Sequence, residues 1–304
     1  MSKKPLLICI VGATAIGKTT LSIAIAKAFD TEIISADSRQ FYTSMNIGTA
    51  VPSPQELASV PHHFIQHKSI FDTYSVGDFE REALLKLDTL FSEKSTALLV
   101  GGSGLYVDAV INGLDIFPDI AKEIREALNT QLDNDGLQLL QQELMSVDPM
   151  YYKTMDTENP RRVLRALEIY RATGKPYSSF LKAKPANRNF ETLYVGLTAE
   201  RPIVYERINK RVDVMLENGL LQEAKNLYPH KELNALQTVG YRELFQYFDG
   251  THSLEKAVEE IKKNTRRFAK RQGTWFRKNQ DIHWFDYTSK SDDIVNFIKL
   301  KNAL

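Results

Sequence analysis

Apolar and polar positions along the chain form two kinds of segment. Short, continuous apolar runs are typical of strands buried on both faces of a parallel sheet, and they occur at residues 6–11, 32–36, 97–100 and 193–197. Residues 18–29 instead carry apolar side chains at helical spacing. Strands that alternate with helices predict an α/β fold with a mostly parallel sheet.

No strand pattern is present between residues 117 and 188, where three helices are predicted at 119–132, 137–145 and 160–173. A helical block between two α/β stretches predicts an inserted all-helical subdomain. We therefore place a catalytic core at residues 1–116 and 190–304 and the insertion at 117–189. The polar residues 182–189 are the expected return linker, and residues 201–277 are mostly helical again.

The composition changes this picture little. The chain has 304 residues, of which 43% are hydrophobic and 25% charged, and this excludes a disordered, collagen-like or coiled-coil protein. No apolar run approaches the length that spans a bilayer, and the first run is too short for a signal peptide. The single cysteine, Cys9, excludes an internal disulfide and a zinc site. We expect a monomer in the cytoplasm that does not bind membranes.

The charge is distributed unevenly. The net charge is only +1, yet residues 261–280 contain eight basic residues and no acidic one. The remaining 31 basic residues face 38 acidic ones, a net charge of −7. On a helical wheel, the eight basic residues occupy the side opposite Val258, Ile261, Phe268, Trp275 and Phe276, with Thr265 and Gln272 among the apolar residues. A face of one charge favours phosphate binding, with a membrane surface as the alternative.

A phosphate-binding loop follows the first predicted strand. Residues 12–19 match the pattern G-x-x-x-x-G-K-[ST] between a strand and a helix: Gly12, Ala13, Thr14, Ala15, Ile16, Gly17, Lys18 and Thr19. Backbone N–H groups and the helix N-terminus bind the anion, Lys18 adds a positive charge, and the Thr19 hydroxyl can bind Mg²⁺. The motif predicts a diphosphate or triphosphate with Mg²⁺, without specifying ATP.

The acid that ATP hydrolases use to hold Mg²⁺ is missing after residues 97–100, where Gly101 and Gly102 follow. The available acid is Asp37, at the carboxyl end of the second strand, where ligands of open α/β sheets bind. Three roles are open for Asp37: metal ligand, general base or helix N-cap. The glycine-rich residues 101–106 allow either a substrate's close approach, with Ser103 as a hydroxyl donor, or simply a tight turn.

Two further features have plainer interpretations. His62 and His63 have no third ligand at metal-site spacing, so a turn or core role is expected. In the predicted insertion, Arg161, Arg162, Arg165 and Arg171 form a second basic cluster that includes Glu168, so part of it can pair internally.

Together, these motifs resemble the tRNA dimethylallyltransferases, or tRNA isopentenyltransferases, of the bacterial type. The resemblance runs over nearly the whole chain, at residues 12–19, 37–42, 46–49, 61–63, 101–106, 148–149, 159–168, 207–215, 219–220, 240–241 and 264–275. Ala13 and Ile16 replace the family's usual Pro and Ser, and Ser103 replaces Thr. No zinc finger of the eukaryotic kind follows Trp275.

The resemblance implies transfer of the dimethylallyl group of dimethylallyl diphosphate to the exocyclic amine of the adenosine that follows the tRNA anticodon. It implies a P-loop NTPase-like core, with Lys18, Thr19 and Arg211 acting on the diphosphate, Mg²⁺ on Thr19, and Asp37 as the base. The target base has to leave its stack. The resemblance and the basic helix together predict these tRNA contacts: Asp37, Ser38, Arg39, Gln40, Ser103, Arg125, Arg161, Arg162, Val163, Leu164, Arg165, Gln237, Thr238, Val239, Gly240, Tyr241, Arg242, Arg266, Arg267, Lys270 and Arg271.

Two alternatives use the same residues differently. An adenylate prenyltransferase or a nucleotide kinase would need the phosphate loop, but neither the helical insertion nor the basic helix. A non-catalytic RNA-binding module would need the basic helix, but not Lys18, Thr19 and Asp37.

Overall fold

The computed structural model describes residues 4–181 and 186–303. The chain divides into two compact units: the sheet unit, Met1–Asn112 with Asn187–Leu304, and the helical unit, Gly113–Ala186. Residues 182–185 of the predicted linker lie outside the described residues. Within the described ranges, no helix is both long and apolar enough to cross a membrane.

One parallel sheet organises the sheet unit. Its six strands have the order β3-β2-β4-β1-β5-β6, and every pair is parallel. The bounds are β1 Leu6–Gly12, β2 Ile33–Ser35, β3 His62–His63, β4 Thr96–Gly101, β5 Glu191–Thr198 and β6 Ile282–Asp286. The predicted fold class is confirmed, and all four predicted strands are present. The two edge strands, β3 and β6, are not predicted by the sequence pattern.

Helices cover both faces of this sheet. Their bounds are α1 Lys18–Ala28, α2 Pro54–Ser59, α3 Val76–Glu93, α4 Gly104–Asn112, α9 Arg201–Glu217, α10 Leu220–Leu227, α11 Tyr241–Phe248, α12 Leu254–Phe276 and α13 Ser291–Ala303. Strand β1 is buried along its whole length. Because successive side chains of a strand point to opposite faces, Leu7 and Cys9 pack in one core cluster with residues of α3, α11 and α12, whereas Ile8 and Ile10 pack in another with residues of α1 and α13.

The helical unit has its own core. It consists of α5 Lys122–Asp135, α6 Leu137–Val147, α7 Pro149–Thr154 and α8 Pro160–Thr173. Leu128, Leu140, Leu144 and Leu167 are fully buried where α5, α6 and α8 meet. Asp148 begins α7, because its carboxylate accepts a hydrogen bond from the Tyr151 N–H (3.1 Å). Gly174 ends α8 in the left-handed conformation that favours glycine.

Candidate active site

The phosphate loop joins β1 to α1 through backbone conformations that few residues adopt. Gly17, the N-cap of α1, has φ 112°, and Gly12 has φ 146°. A Cβ on Gly12 would lie 2.7 Å from the Leu197 carbonyl oxygen of β5, so glycine is required there both by conformation and by space. Ala15 is left-handed too, with φ 64°, and the Arg207 Nε donates a hydrogen bond to its carbonyl (2.8 Å).

Lys18 lies against the loop in this structure. Its ammonium group donates to the carbonyl oxygens of Gly12 (3.0 Å) and Ala13 (2.8 Å). Loss of solvation, assisted by the positive charge of Arg211, lowers the pKa of Lys18 to about 8, although Asp37 acts in the opposite direction. The ammonium group is therefore poorly solvated before an anion binds, which makes an anionic partner more favourable.

Asp37 follows β2 in a turn, not at a helix start. Its carboxylate accepts a hydrogen bond from the Arg39 N–H (3.2 Å), and residues 38–41 form turns, so the N-cap interpretation is wrong. Desolvation raises the pKa of Asp37 above its usual value, against the opposing effects of the Arg39 N–H and of Lys18. The Ser103 hydroxyl accepts the Ser38 N–H (3.2 Å) and fixes the turn from β4.

One cavity of about 340 Å³ brings the predicted catalytic residues together. Residues 14–19 of the loop line it, and so do Asp37, Gln40 and Arg211. Desolvation and the neighbouring Arg207 lower the pKa of Arg211. Arg207 also lines the cavity, although the sequence argument did not select it. Gly12 and Ala13 line a different cavity.

The second glycine-rich turn is filled by protein groups. A Cβ on Gly101 would lie 2.3 Å from the Ala36 carbonyl oxygen, and one on Gly102 would lie 2.2 Å from the Gln272 side chain. A Cβ on Gly104 would lie 2.3 Å from the Trp275 ring. Tight packing of β2 and α12 against this turn therefore explains the glycines, and no approaching substrate is needed to account for them.

Gln272, like Arg207, is a site residue that sequence reasoning missed. Its side chain, 6% exposed, accepts the Thr14 N–H of the phosphate loop (2.9 Å) and donates to the Gly102 carbonyl (2.9 Å). Its position among apolar residues on the helical wheel was the available signal, because a buried amide needs hydrogen-bond partners.

Several residues predicted to contact tRNA have structural partners within the sheet unit. Tyr241 is completely buried, and its hydroxyl donates to Glu223 (2.7 Å), so the prediction of RNA contact through this side chain is wrong. Glu223 also accepts the N–H groups of residues 46–48. The Arg39 guanidinium donates to the carbonyls of Asn234 (3.0 Å) and Ala235 (2.9 Å). The Gln40 amide donates to the carbonyls of residues 49 and 50, and that of Gln237 donates to the residue 231 carbonyl.

The other predicted tRNA contacts between residues 237 and 242 lie just before α11 or in its first turn. Gly240 is left-handed and donates its N–H to Glu243. Val239 packs against the core, Thr238 is partly buried, and Arg242 is exposed.

The basic face of α12 differs from the prediction in two respects. Its buried stripe is narrow, formed by Ala257, Ile261, Ala269, Gln272 and Phe276, so Phe268 and Trp275 are 38% and 37% exposed instead of lying in the core. Acidic residues also neutralise part of the first half of this face, since Lys262 pairs with Asp213 (2.5 Å) and Lys263 with Glu260 (2.9 Å). Arg266 keeps its charge and donates a hydrogen bond to the Asn209 side chain (2.7 Å). Arg267, Lys270 and Arg271 remain exposed.

In the helical unit, only some of the residues 161–165 that were predicted to contact tRNA are exposed. Val163 is fully buried and Leu164 is 9% exposed in the core of this unit, so their side chains cannot contact RNA. Arg161 and Arg162 are exposed. Arg125 and Arg165 both bond to Glu168, at 2.7 and 3.2 Å, and these ion pairs hold the pKa of Glu168 below its usual value despite its burial.

The two histidines lie on the edge strand β3. His63 bonds to Glu32 (2.6 Å), and His62 Nδ1 contacts the Val60 carbonyl (2.8 Å). His62 also lines the candidate active-site cavity. Within residues 4–181 and 186–303, no three His, Cys, Asp or Glu side chains are grouped closely enough to hold a metal ion by themselves.

Comparisons with known proteins all indicate the same family. The model of the IPP transferase family matches residues 40–279. A Christiangramia forsetii protein named tRNA dimethylallyltransferase is 59% identical, over 97% of this chain and 98% of its own. A Flavobacterium psychrophilum protein of the same name is 56% identical, over 97% and 98%. The crystal structure of a tRNA isopentenylpyrophosphate transferase from Bacillus halodurans is similar, with a TM-score of 0.73 and 39% identity, over 98% of this chain and 97% of that one.

Proposed function

The chain belongs to the IPP transferase family, and we propose that it transfers the dimethylallyl group of dimethylallyl diphosphate to N6 of the adenosine that follows a tRNA anticodon. The family resemblance and the enzyme class, a transferase, are confirmed by the relatives. The observation that supports the assignment of this reaction to particular residues is one cavity that is lined by Lys18, Thr19, Asp37 and Arg211.

The diphosphate of the donor binds at the phosphate loop. Lys18 and Arg211 are poorly solvated cations, and their charges stabilise the negative charge that grows on the diphosphate as its bond to carbon breaks. The Thr14 N–H is already bonded to Gln272, so its position is fixed before the donor binds. Gln272 therefore fixes part of the loop, whereas Lys18 has to exchange its bonds to the Gly12 and Ala13 carbonyls for the diphosphate when the donor binds.

The residues of this cavity fit Mg²⁺. Mg²⁺ keeps several water ligands and is bound by few protein oxygens together with substrate phosphates, so no dedicated cage is needed. The Thr19 hydroxyl lines the cavity and has no hydrogen-bond partner among the described residues, so it is the expected ligand. The bound ion would supply further positive charge to the leaving diphosphate.

Asp37 acts as the base. The adenine amine is a weak nucleophile because its lone pair is delocalised into the ring, and removal of its proton as the new bond forms lowers the barrier. In the transfer, N6 bonds to the donor's first carbon and the carbon–oxygen bond breaks, so the diphosphate leaves with the electron pair. The N6 proton passes to the Asp37 carboxylate. Desolvation raises the pKa of this carboxyl, which makes Asp37 a stronger base than an exposed aspartate.

The tRNA backbone contacts the exposed cations of α12, Arg267, Lys270 and Arg271, and in the helical unit Arg161 and Arg162. These side chains are exposed, and basic residues make the salt-dependent phosphate contacts of nucleic-acid binding. Ser38 and Ser103, fixed to each other beside Asp37, contact the target nucleotide.

A labelling experiment tests this function against its alternatives. The protein is incubated with labelled dimethylallyl diphosphate, Mg²⁺ and either unmodified tRNA or AMP. Label is expected in tRNA adenosine and absent from AMP. Label in AMP alone would overturn the proposal in favour of an adenylate prenyltransferase. Label in neither, with tRNA still bound, would favour an RNA-binding module.

The role of Asp37 has its own test. Asp37→Asn is expected to keep tRNA and donor binding but to lose at least about 100-fold in kcat, the usual contribution of a general base. Asp88→Asn, which changes an exposed aspartate on α3, is the matched control and should react like the unchanged protein. Retained turnover in Asp37→Asn would remove Asp37 as the base.

A further inference from the structure

A second cavity, of about 370 Å³, adjoins the phosphate loop. Gly12, Ala13 and Ile16 line it together with the end of β5, the start of α9 and the last turns of α12. None of the residues that act in the proposed transfer, Lys18, Asp37 and Arg211, is among its lining residues. The cavity is therefore not explained by the prenyl transfer. Its volume is in the range of small-molecule sites.

The charges of this cavity have one sign. Arg201, Lys270 and Arg277 line it, and its lining contains no acidic residue. None of the three cations has a hydrogen-bond or ion-pair partner among the described residues. This differs from the first half of α12, where Lys262 and Lys263 pair with acids. The three cations are thus available to an anion from solution.

Trp284 supplies the only aromatic side chain besides Tyr205 in the lining. The Trp284 indole is 37% exposed, although it packs against the backbone of β5. A Cβ on Gly196 would lie 2.5 Å from its Cε3 atom, so the glycine allows the ring to lie close to the strand. Packing on the strand fixes the ring in position, while part of it stays accessible in the cavity.

We propose that this cavity binds a nucleotide, with the base on Trp284 and the phosphate among Arg201, Lys270 and Arg277. Bases stack on fixed aromatic side chains without regard to their sequence, and guanidinium groups bind phosphate through charge-assisted hydrogen bonds. A free nucleotide and a nucleotide of the bound tRNA share this chemistry. The site goes beyond the proposed transfer and does not depend on it, although it shares Gly12, Ala13 and Ile16 with the phosphate loop and Lys270 with the proposed tRNA contacts.

Fluorescence of Trp284 tests the proposal. The chain has two tryptophans, so Trp275→Phe leaves Trp284 as the only one, and Trp275 does not line the cavity. AMP is expected to quench this fluorescence, whereas inorganic phosphate is not. Arg201→Gln and Arg277→Gln, made in the same background, should each weaken AMP binding by about tenfold or more. Lys278→Gln, an exposed cation beside Arg277 but outside the lining, is the matched control and should leave the affinity unchanged.

Three outcomes would overturn the proposal. They are no quenching by AMP, equal binding in the Arg201 and Arg277 variants, and loss of binding in Lys18→Ala, which would place the nucleotide on the phosphate loop. Calorimetry of the unchanged protein with AMP should return the same affinity, which excludes an artefact of Trp275→Phe. AMP that stays bound when tRNA is added would identify the free nucleotide as the ligand, and displacement of AMP by tRNA would identify a tRNA nucleotide.

Discussion

Replacement of Gln272 by leucine removes the connection that α12 makes to the phosphate loop. The amide of Gln272 accepts the Thr14 N–H and donates to the Gly102 carbonyl, each at 2.9 Å. Leucine has a similar size but no polar atom, so both backbone groups lose their partner. The side chain is 6% exposed, and water can reach this position only poorly.

The expected cost follows from these two groups. A buried polar group left without a partner costs about 1–3 kcal/mol. The bond to Gly102 is fully buried, whereas the bond to Thr14 borders the cavity and water can partly replace it. We therefore expect Gln272→Leu to lower the free energy of unfolding by about 2–4 kcal/mol. Because Thr14 belongs to the loop, we also expect a higher KM for dimethylallyl diphosphate.

Urea unfolding followed by circular dichroism measures the free energy, and initial rates at varied donor concentration measure KM. Gln222→Leu is the matched control, since Gln222 is exposed on α10 and bonds only to Asn226. It should stay within about 0.5 kcal/mol of the unchanged protein. A Gln272→Leu protein as stable as this control, with an unchanged KM, would refute the reasoning.

Three further perturbations have expected outcomes. Since the pKa of Lys18 is about 8, its positive charge is lost as pH rises through that value, so KM for dimethylallyl diphosphate should rise above pH 8. Lys18→Arg should remove this rise. A KM that stays constant up to pH 10 in the unchanged protein would contradict the role of Lys18 in binding the diphosphate. Gly48→Ala places a Cβ 2.6 Å from the buried Tyr241 ring and should cost about 1–3 kcal/mol of unfolding free energy, measured in urea; no loss would mean that the ring moves freely. Glu168→Ala removes the acceptor of Arg125 and Arg165 and should lower the free energy of unfolding of the helical unit by about 2 kcal/mol. Amide hydrogen exchange in α8 should therefore become faster, and an unchanged exchange rate would contradict a stabilising role of these ion pairs.

Local patterns selected residues that the structure brings together in one cavity. The phosphate loop is recognised from eight consecutive residues, 12–19, and Asp37 is recognised from its place at the end of an apolar strand. Carboxyl ends of parallel strands meet at one edge of a sheet, so strand order was not needed to bring Asp37 near the loop. Arg211 came from the family resemblance, because no local pattern marks it.

Long-range packing could not be predicted in this way. Gly102 and Gln272 are 170 residues apart, and nothing in either local pattern shows that one occupies the space beside the other. The RNA contact expected at Tyr241 came from the family resemblance, and no local pattern shows that this residue is buried against Gly48 and Glu223. Strand β3 has only two residues, too few to form a recognisable pattern.

Coupled measurement of both products tests the central claim most directly. In one reaction with tRNA, dimethylallyl diphosphate and Mg²⁺, the diphosphate released and the N6-modified adenosine formed are counted in the same sample. The account predicts one diphosphate for each modified adenosine, and strong loss of both products in Asp37→Asn. Diphosphate release without modification of adenosine would contradict it.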